Sequence, residues 1–256
     1  MELSSATHNM TTKIIDILHP NAPSIYLHGS CVMNDFHLGW SDIDILVLTQ
    51  SPISDQQASE LLMLRQTLQA SEPNSPLYRC FEGGMLTLDA FQHRTPTTVV
   101  YWGTSGQRIT DRYSFDSCSL KELLDHGLLL YGSEIRDQLI PPGFEDLKAN
   151  IEFHYNTIRK YAHLTGRSIY AFGWILDIAR GIYTLRTGKI ISKTATGQWA
   201  LESRLFTDPF ALETALSVRK NPELFHNDIT FQNIAENLGA TIQQYADVLE
   251  QELNIK

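Results

Sequence analysis

Three cysteines, Cys31, Cys80 and Cys118, are all the thiols in the chain; they are widely spaced and contain no CxxC pair. Neither a disulfide framework nor a structural zinc site suits that number and spacing, so a reducing, cytoplasmic setting is expected. Long apolar runs are missing too, none approaching the roughly 18 uninterrupted residues of a membrane span. The segment Met1-Glu2-Leu3-Ser4-Ser5 has no basic stretch leading into an apolar one, and the sequence reads as unexported, with no membrane partner. Charged residues make up only 19%, and bases are the scarcer sign, with 20 Lys and Arg against 29 Asp and Glu and a net charge of -9. Such a chain repels a phosphate backbone, which argues against nucleic acid as a general partner. No HExxH or other paired histidine spacing marks a zinc site, and Gly29-Ser30-Cys31 lacks the GxSxG setting that would make Ser30 or Cys31 a nucleophile.

The 256 residues, 43% hydrophobic, are enough for two modest domains with packed cores. Residues 1–143 hold 16 acids and 8 bases, residues 144–256 hold 13 and 12, and within the latter Arg159 to Arg204 is a locally basic stretch. An acidic half joined to a half with a basic stretch suits a ligand carrying both charges, or a metal together with phosphates. The texture changes at Pro141-Pro142-Gly143, a plausible boundary. Before it, Thr12–Leu18 and Asp55–Ala70 have helical spacing, whereas Ser24–His28, Ile43–Val47 and Met85–Phe91 read as strands. After it, helical periodicity runs near 145–164, 169–187, 192–203, 208–219 and 228–253. The expected fold class is α+β: an α/β domain with a mixed sheet over 1–143, then an α-helical bundle over 144–256.

The chemistry concentrates in Leu27-His28-Gly29-Ser30 and, after eleven intervening residues, Asp42-Ile43-Asp44-Ile45-Leu46-Val47. Strand residues two apart share a face, so Asp42 and Asp44 present two carboxylates to one place. Magnesium is held in this way, by one or two carboxylates together with substrate phosphates. Gly29 allows a tight turn and close approach to a phosphate, and Ser30 would open a helix whose N-terminus favours anions. The joint pattern of Gly-Ser, about ten residues, then Asp-hydrophobic-Asp resembles the DNA polymerase beta-like nucleotidyltransferase superfamily.

That resemblance implies a third carboxylate from a neighbouring strand. Asp89, on the face of Met85–Phe91 opposite Leu86, Leu88 and Ala90, is the expected residue, as second metal ligand, proton acceptor or both; Glu82, Asp111 and Asp116 are weaker rivals. In the second half, Arg180 to Lys193, followed by Trp199-Ala200-Leu201-Glu202, resembles the C-terminal domain of the streptomycin/spectinomycin adenylyltransferases. The likeness puts Lys193 on the ATP phosphates and Arg180 near the same ligand, and it implies magnesium, ATP as co-substrate and a small, cationic hydroxyl acceptor. Streptomycin-binding members carry acidic residues before the matched arginine; Gly166-Arg167-Ser168-Ile169-Tyr170 has none, which favours spectinomycin or a related acceptor. Those enzymes also have glutamate as the third carboxylate, from which Asp89 departs. The same carboxylates would serve AMP transfer to a protein or another metabolite. A non-catalytic ATP sensor or antitoxin-like homologue is the rival from another class, and the added helical domain and intact Asp42-Ile43-Asp44 argue against it.

Overall fold

The structure, a computed structural model, describes residues 2–103 and 106–254. It divides into two compact units, one built from the chain up to Asn34 with Ser41–Pro141, the other from Asp35–Trp40 with the chain from Pro142 onward.

The first unit begins with α1 (Leu3–Leu18), which buries Ala6, Met10, Ile14 and Leu18 at helical spacing. β1 (Ser24–His28) and β2 (Ile43–Thr49) pair antiparallel. The crossover helix α2 (Asp55–Ser71) starts at Ser54, whose side chain accepts from the Gln57 backbone while Gln57 reaches back to Ser54. It returns the chain to β3 (Phe81–Thr87), parallel to β2. Then come α3 (Leu88–His93), β4 (Val99–Gly103), β5 (Gly106–Thr110), α4 (Ser117–His126) and β6 (Leu128–Tyr131). The six strands lie in the order β5-β4-β3-β2-β1-β6, and only β2 and β3 among the hydrogen-bonded neighbours are parallel.

Even-numbered residues of β2 and β3 face one side of the sheet, where Leu46, Leu48 and Leu86 join Tyr26, Leu88, Val99, Leu123, Ile135 and Leu139 in a buried cluster. Each fully buried aliphatic side chain in such a cluster contributes about 1.5–3 kcal/mol. On the opposite side Trp102 is fully buried and its indole N–H donates to the Leu61 carbonyl of α2.

The second unit is helical: α5 (Phe144–Tyr161), α6 (Tyr170–Thr187), α7 (Lys193–Glu202), α8 (Phe210–Lys220), α9 (Glu223–Asn227), α10 (Ile229–Asn237) and α11 (Gly239–Asn254). α6 is its centre, packing against α5, α7, α8 and α11 and burying ten of its residues. The mixed α/β unit and the helical unit are the architecture expected from the sequence. The single helix expected over 228–253 is two, α10 and α11, meeting at Leu238.

One strand assignment is corrected. Of Met85–Phe91 only Met85–Thr87 is strand: β3 starts earlier, at Phe81, and ends at Thr87, and Leu88–Phe91 belongs to α3. The Thr87 side chain accepts from the Ala90 backbone N–H and caps α3. A Thr followed by an acid in the first turn is a helix start, and that local preference overrides the apparent alternation of Leu86, Leu88 and Ala90.

Candidate active site

β1 ends at His28 opposite Asp44 of β2, and the next residue, Gly29, turns with φ +71°. A Cβ at Gly29 would collide with the Asp44 carboxylate, so only glycine lets that carboxylate lie against the turn. The turn continues as a three-residue 3-10 segment, Gly29–Cys31, rather than the longer helix expected from the sequence. Ser30 Oγ, beside the Cys31 thiol, is buried without a well-formed hydrogen bond. Burial, then the negative charge of Asp44, pushes the Cys31 thiol up to about 12, so it remains a protonated thiol rather than a nucleophile. His28 is buried, with Nδ1 3.7 Å from Glu122 Oε1 and its ring edge-on to Phe115.

β2 then carries the carboxylates. Asp42 immediately precedes the strand and Asp44 lies within it, two residues on. The parallel register of β2 and β3 sets Asp44 directly beside Glu82, with Leu46 beside Gly84 and Leu48 beside Leu86. Adjacent strands lie about 4.8 Å apart, so the two side chains leave the same face as near neighbours. Their surroundings agree: the charges of Glu82 and Asp42 both act on Tyr101, and those of Asp44 and Glu82 both act on Tyr113.

Asp89 is elsewhere. It sits in the first turn of α3 with its side chain 81% exposed, paired with His93 at 3.1 Å one helical turn on. The structure therefore brings Gly29, Ser30, Asp42 and Asp44 together and adds Glu82, while Asp89 projects into solvent as an ordinary helix-start acid. Glu82 was among the weaker rivals because its sequence surroundings are less regular than those of Asp89, although Phe81-Glu82-Gly83-Gly84 here belongs to β3.

No three or more His, Cys, Asp or Glu residues form a group able to hold a metal by themselves among the described residues. The donor set nevertheless suits magnesium, which typically takes one or two carboxylates and completes its shell with substrate phosphates and water. Asp42 and Asp44 are hard oxygen donors of that kind, and the buried, unsatisfied Ser30 hydroxyl beside them is a polar group of the type an anionic ligand satisfies.

The second unit holds the remaining expected residues. α6 ends at Gly188, φ +66°, and Ser192 caps α7 by accepting from the Ala195 N–H, which makes Lys193 the first residue of that helix. Lys193 Nζ lies 2.9 Å from Asp177 Oδ1 and 3.1 Å from Oδ2, and Arg180 reaches the same Oδ1 at 3.5 Å. Burial, joined by repulsion from Arg180, pulls the Lys193 ammonium below its ordinary range against the attraction of Asp177. Burial works against the Asp177 carboxylate, yet Lys193 and Arg180 outweigh it and hold Asp177 below the usual carboxylate range. Nearby within this unit Arg219 and Asp35, 3% and 4% exposed, form a buried pair at 2.6 Å, which the Thr194 N–H joins at 3.2 Å. Trp199, packed edge-on against Tyr183 at 5.1 Å, serves packing.

Two family models match the chain: a nucleotidyltransferase domain over residues 13–71 and the C-terminal domain of aminoglycoside adenylyltransferases over 155–242. No curated protein matches it significantly. Among solved structures, spectinomycin adenyltransferase AAD(9) from Enterococcus faecialis, solved with ATP and spectinomycin, superposes with a TM-score of 0.66 at 22% identity. That match covers 96% of this chain and 99% of the other, and shows a shared fold. A toxin-antitoxin structure with AMP-PNP covers 51% of this chain and 77% of its own at 21% identity, with a TM-score of 0.29. The chain thus carries a match to the nucleotidyltransferase domain in its first part and a match to the C-terminal domain of aminoglycoside adenylyltransferases in its second, and the two together support a nucleotidyltransferase enzyme.

Proposed function

We propose that the protein transfers AMP from ATP to a hydroxyl of an aminoglycoside-type acceptor, spectinomycin or a close relative, with release of pyrophosphate. The observation that carries this reading is the register of β2 on β3, which sets Glu82 beside Asp44 with Asp42 two residues away. Asp42 and Asp44 would hold magnesium, which when bound draws charge from the triphosphate and lowers its repulsion of an incoming oxygen.

The chain's own groups then divide the work. Glu82 accepts the proton of the acceptor hydroxyl as that oxygen attacks the α-phosphorus, a role in which a positioned base contributes about 10²–10⁴-fold. It takes the place expected for Asp89, and it is the glutamate that the family resemblance leads one to look for. The bond between the α-phosphorus and the bridging oxygen breaks as the new one forms, and pyrophosphate carries away the electron pair. The Gly29 amide and Ser30 hydroxyl bind phosphate oxygens, and the family resemblance assigns Lys193 and Arg180 to the phosphates of ATP. Asp177 keeps those two cations side by side.

The test is to incubate the purified protein with ATP, magnesium and a panel containing spectinomycin and streptomycin, following pyrophosphate release and the mass of the acceptor. An AMP-sized mass increase on spectinomycin is expected. ATP binding without turnover on any member of the panel would overturn the reading.

A further inference from the structure

We propose that Tyr101 is a positioning residue for Glu82, fixing the carboxylate that takes the acceptor's proton; this rests on the function proposed above. β4 pairs antiparallel with β3 so that Tyr101 stands opposite Gly84 and shares its face with Glu82. The Tyr101 hydroxyl donates to Glu82 Oε1 at 3.1 Å.

The ring has been given a fixed track to get there. It runs over Gly103, where a Cβ would fall on the Tyr101 hydroxyl and ring edge. Arg108, opposite Tyr101 on β5, sits over the ring with its guanidinium carbon 4.4 Å from the centroid. Tyr113 lies beside it at 6.0 Å between centroids, seated in turn over Gly84, where a Cβ would come within 2.6 Å of its ring. An absent side chain below, a cation above and an aromatic neighbour thus restrict Tyr101 to an orientation that ends on Glu82. Burial, then the charge of Glu82, raises the hydroxyl above the ordinary tyrosine range, so it keeps the proton it donates.

A carboxylate has about four lone-pair sites, and one hydrogen bond to Oε1 sets the plane of the group while leaving sites for the acceptor hydroxyl. Hydrogen bonds to charged groups are among the stronger ones, and a base held in place reacts from fewer orientations than one free to rotate.

The experiment measures AMP transfer to spectinomycin by the full-length protein, its Tyr101→Phe, Glu82→Gln and Gly103→Ala variants and the Tyr101→Phe/Glu82→Gln double variant, with a thermal melt of each. Tyr101→Phe keeps the ring and removes only the hydroxyl, so kcat should fall about tenfold with KM for ATP changed less than about twofold and the melting temperature nearly unchanged. Gly103→Ala, whose methyl displaces the hydroxyl, should reproduce the loss in kcat and gives a second route to the same test. In the Glu82→Gln background, Tyr101→Phe should have no further effect. A wild-type kcat in both Tyr101→Phe and Gly103→Ala, beside an inactive Glu82→Gln, would overturn the positioning role and leave the assignment of Glu82 standing. An equal loss from Tyr101→Phe in both backgrounds would also overturn it, because the effect would not pass through Glu82. Full activity in Glu82→Gln, or no transfer by the wild type, would remove the underlying reading and this proposal with it.

Discussion

Glu82 is bound into the sheet and hydrogen-bonded by Tyr101, whereas Asp89 is on a helix surface, and the two acids should respond differently to neutralisation. Glu82→Gln should lower kcat about 10²–10⁴-fold with the melting temperature little changed. Asp42→Asn and Asp44→Asn should each abolish magnesium-dependent pyrophosphate release; unchanged release would remove the metal-holding role. Lys193→Ala should raise KM for ATP and spare acceptor binding, since the ammonium is held ready on Asp177 rather than consumed by secondary structure. An unaltered nucleotide affinity, measured by calorimetry, would contradict that. The pairing of Asp42 with Asp44 was legible because a two-residue repeat needs no knowledge of the rest of the fold. Glu82 could be named only as a rival to Asp89, because its place depends on which residue of a distant strand it faces, a register that no local pattern encodes.

Helix ends marked by strong punctuation were the easiest elements to read. Gly188 stops α6 and Ser192 starts α7 where a glycine and a serine in those positions suggest. Thr87 was equally informative and was outweighed by apolar alternation, which short segments of either kind share. The segment from Asp35 to Trp40 shows what a local reading misses: it packs with the helical unit, held by the buried Asp35–Arg219 pair. Removing one partner of such a pair strands a buried charge, so Asp35→Ala should cost about 3–5 kcal/mol, read as a fall in melting temperature. A melting temperature equal to wild type would show that the pair contributes nothing to stability. Beyond β6, Glu134 accepts from the Tyr26 hydroxyl at 2.8 Å and from Arg136. Its hydrogen bond with Arg136 lowers the Glu134 carboxyl from its ordinary 4.5 to about 2. A carboxyl depressed in the folded state adds stability that is complete above pH 4.5 and disappears as pH falls toward about 2. Glu134→Gln should therefore flatten the acid limb of the melting temperature in that interval; an acid limb as steep as that of wild type would contradict it.

Across the whole molecule, acids outnumber bases and the charges are unevenly divided along the chain. Asp42, Asp44 and Glu82 lie in the first unit, and Lys193 and Arg180 in the second, whose basic stretch extends from Arg159 to Arg204. An acidic unit attracts a polycationic acceptor through water, and that attraction is screened over about 10 Å at 0.1 M salt. KM for the acceptor should rise with ionic strength more steeply than kcat falls, and a salt-independent KM would contradict the electrostatic part of the account. The two-part architecture was legible because the change from mixed to purely helical periodicity at Pro141-Pro142-Gly143 extends over a hundred residues. The strands β4, β5 and β6 were not read from the sequence, being short and carrying less regular alternation. The central claim is that the third carboxylate of a nucleotidyltransferase site is Glu82. Its most direct test is the rate of AMP-spectinomycin formation, followed by mass, in Glu82→Gln beside Asp89→Asn. A loss of at least about a hundredfold is expected in the first and wild-type turnover in the second; full turnover in Glu82→Gln with loss in Asp89→Asn would contradict the assignment of Glu82.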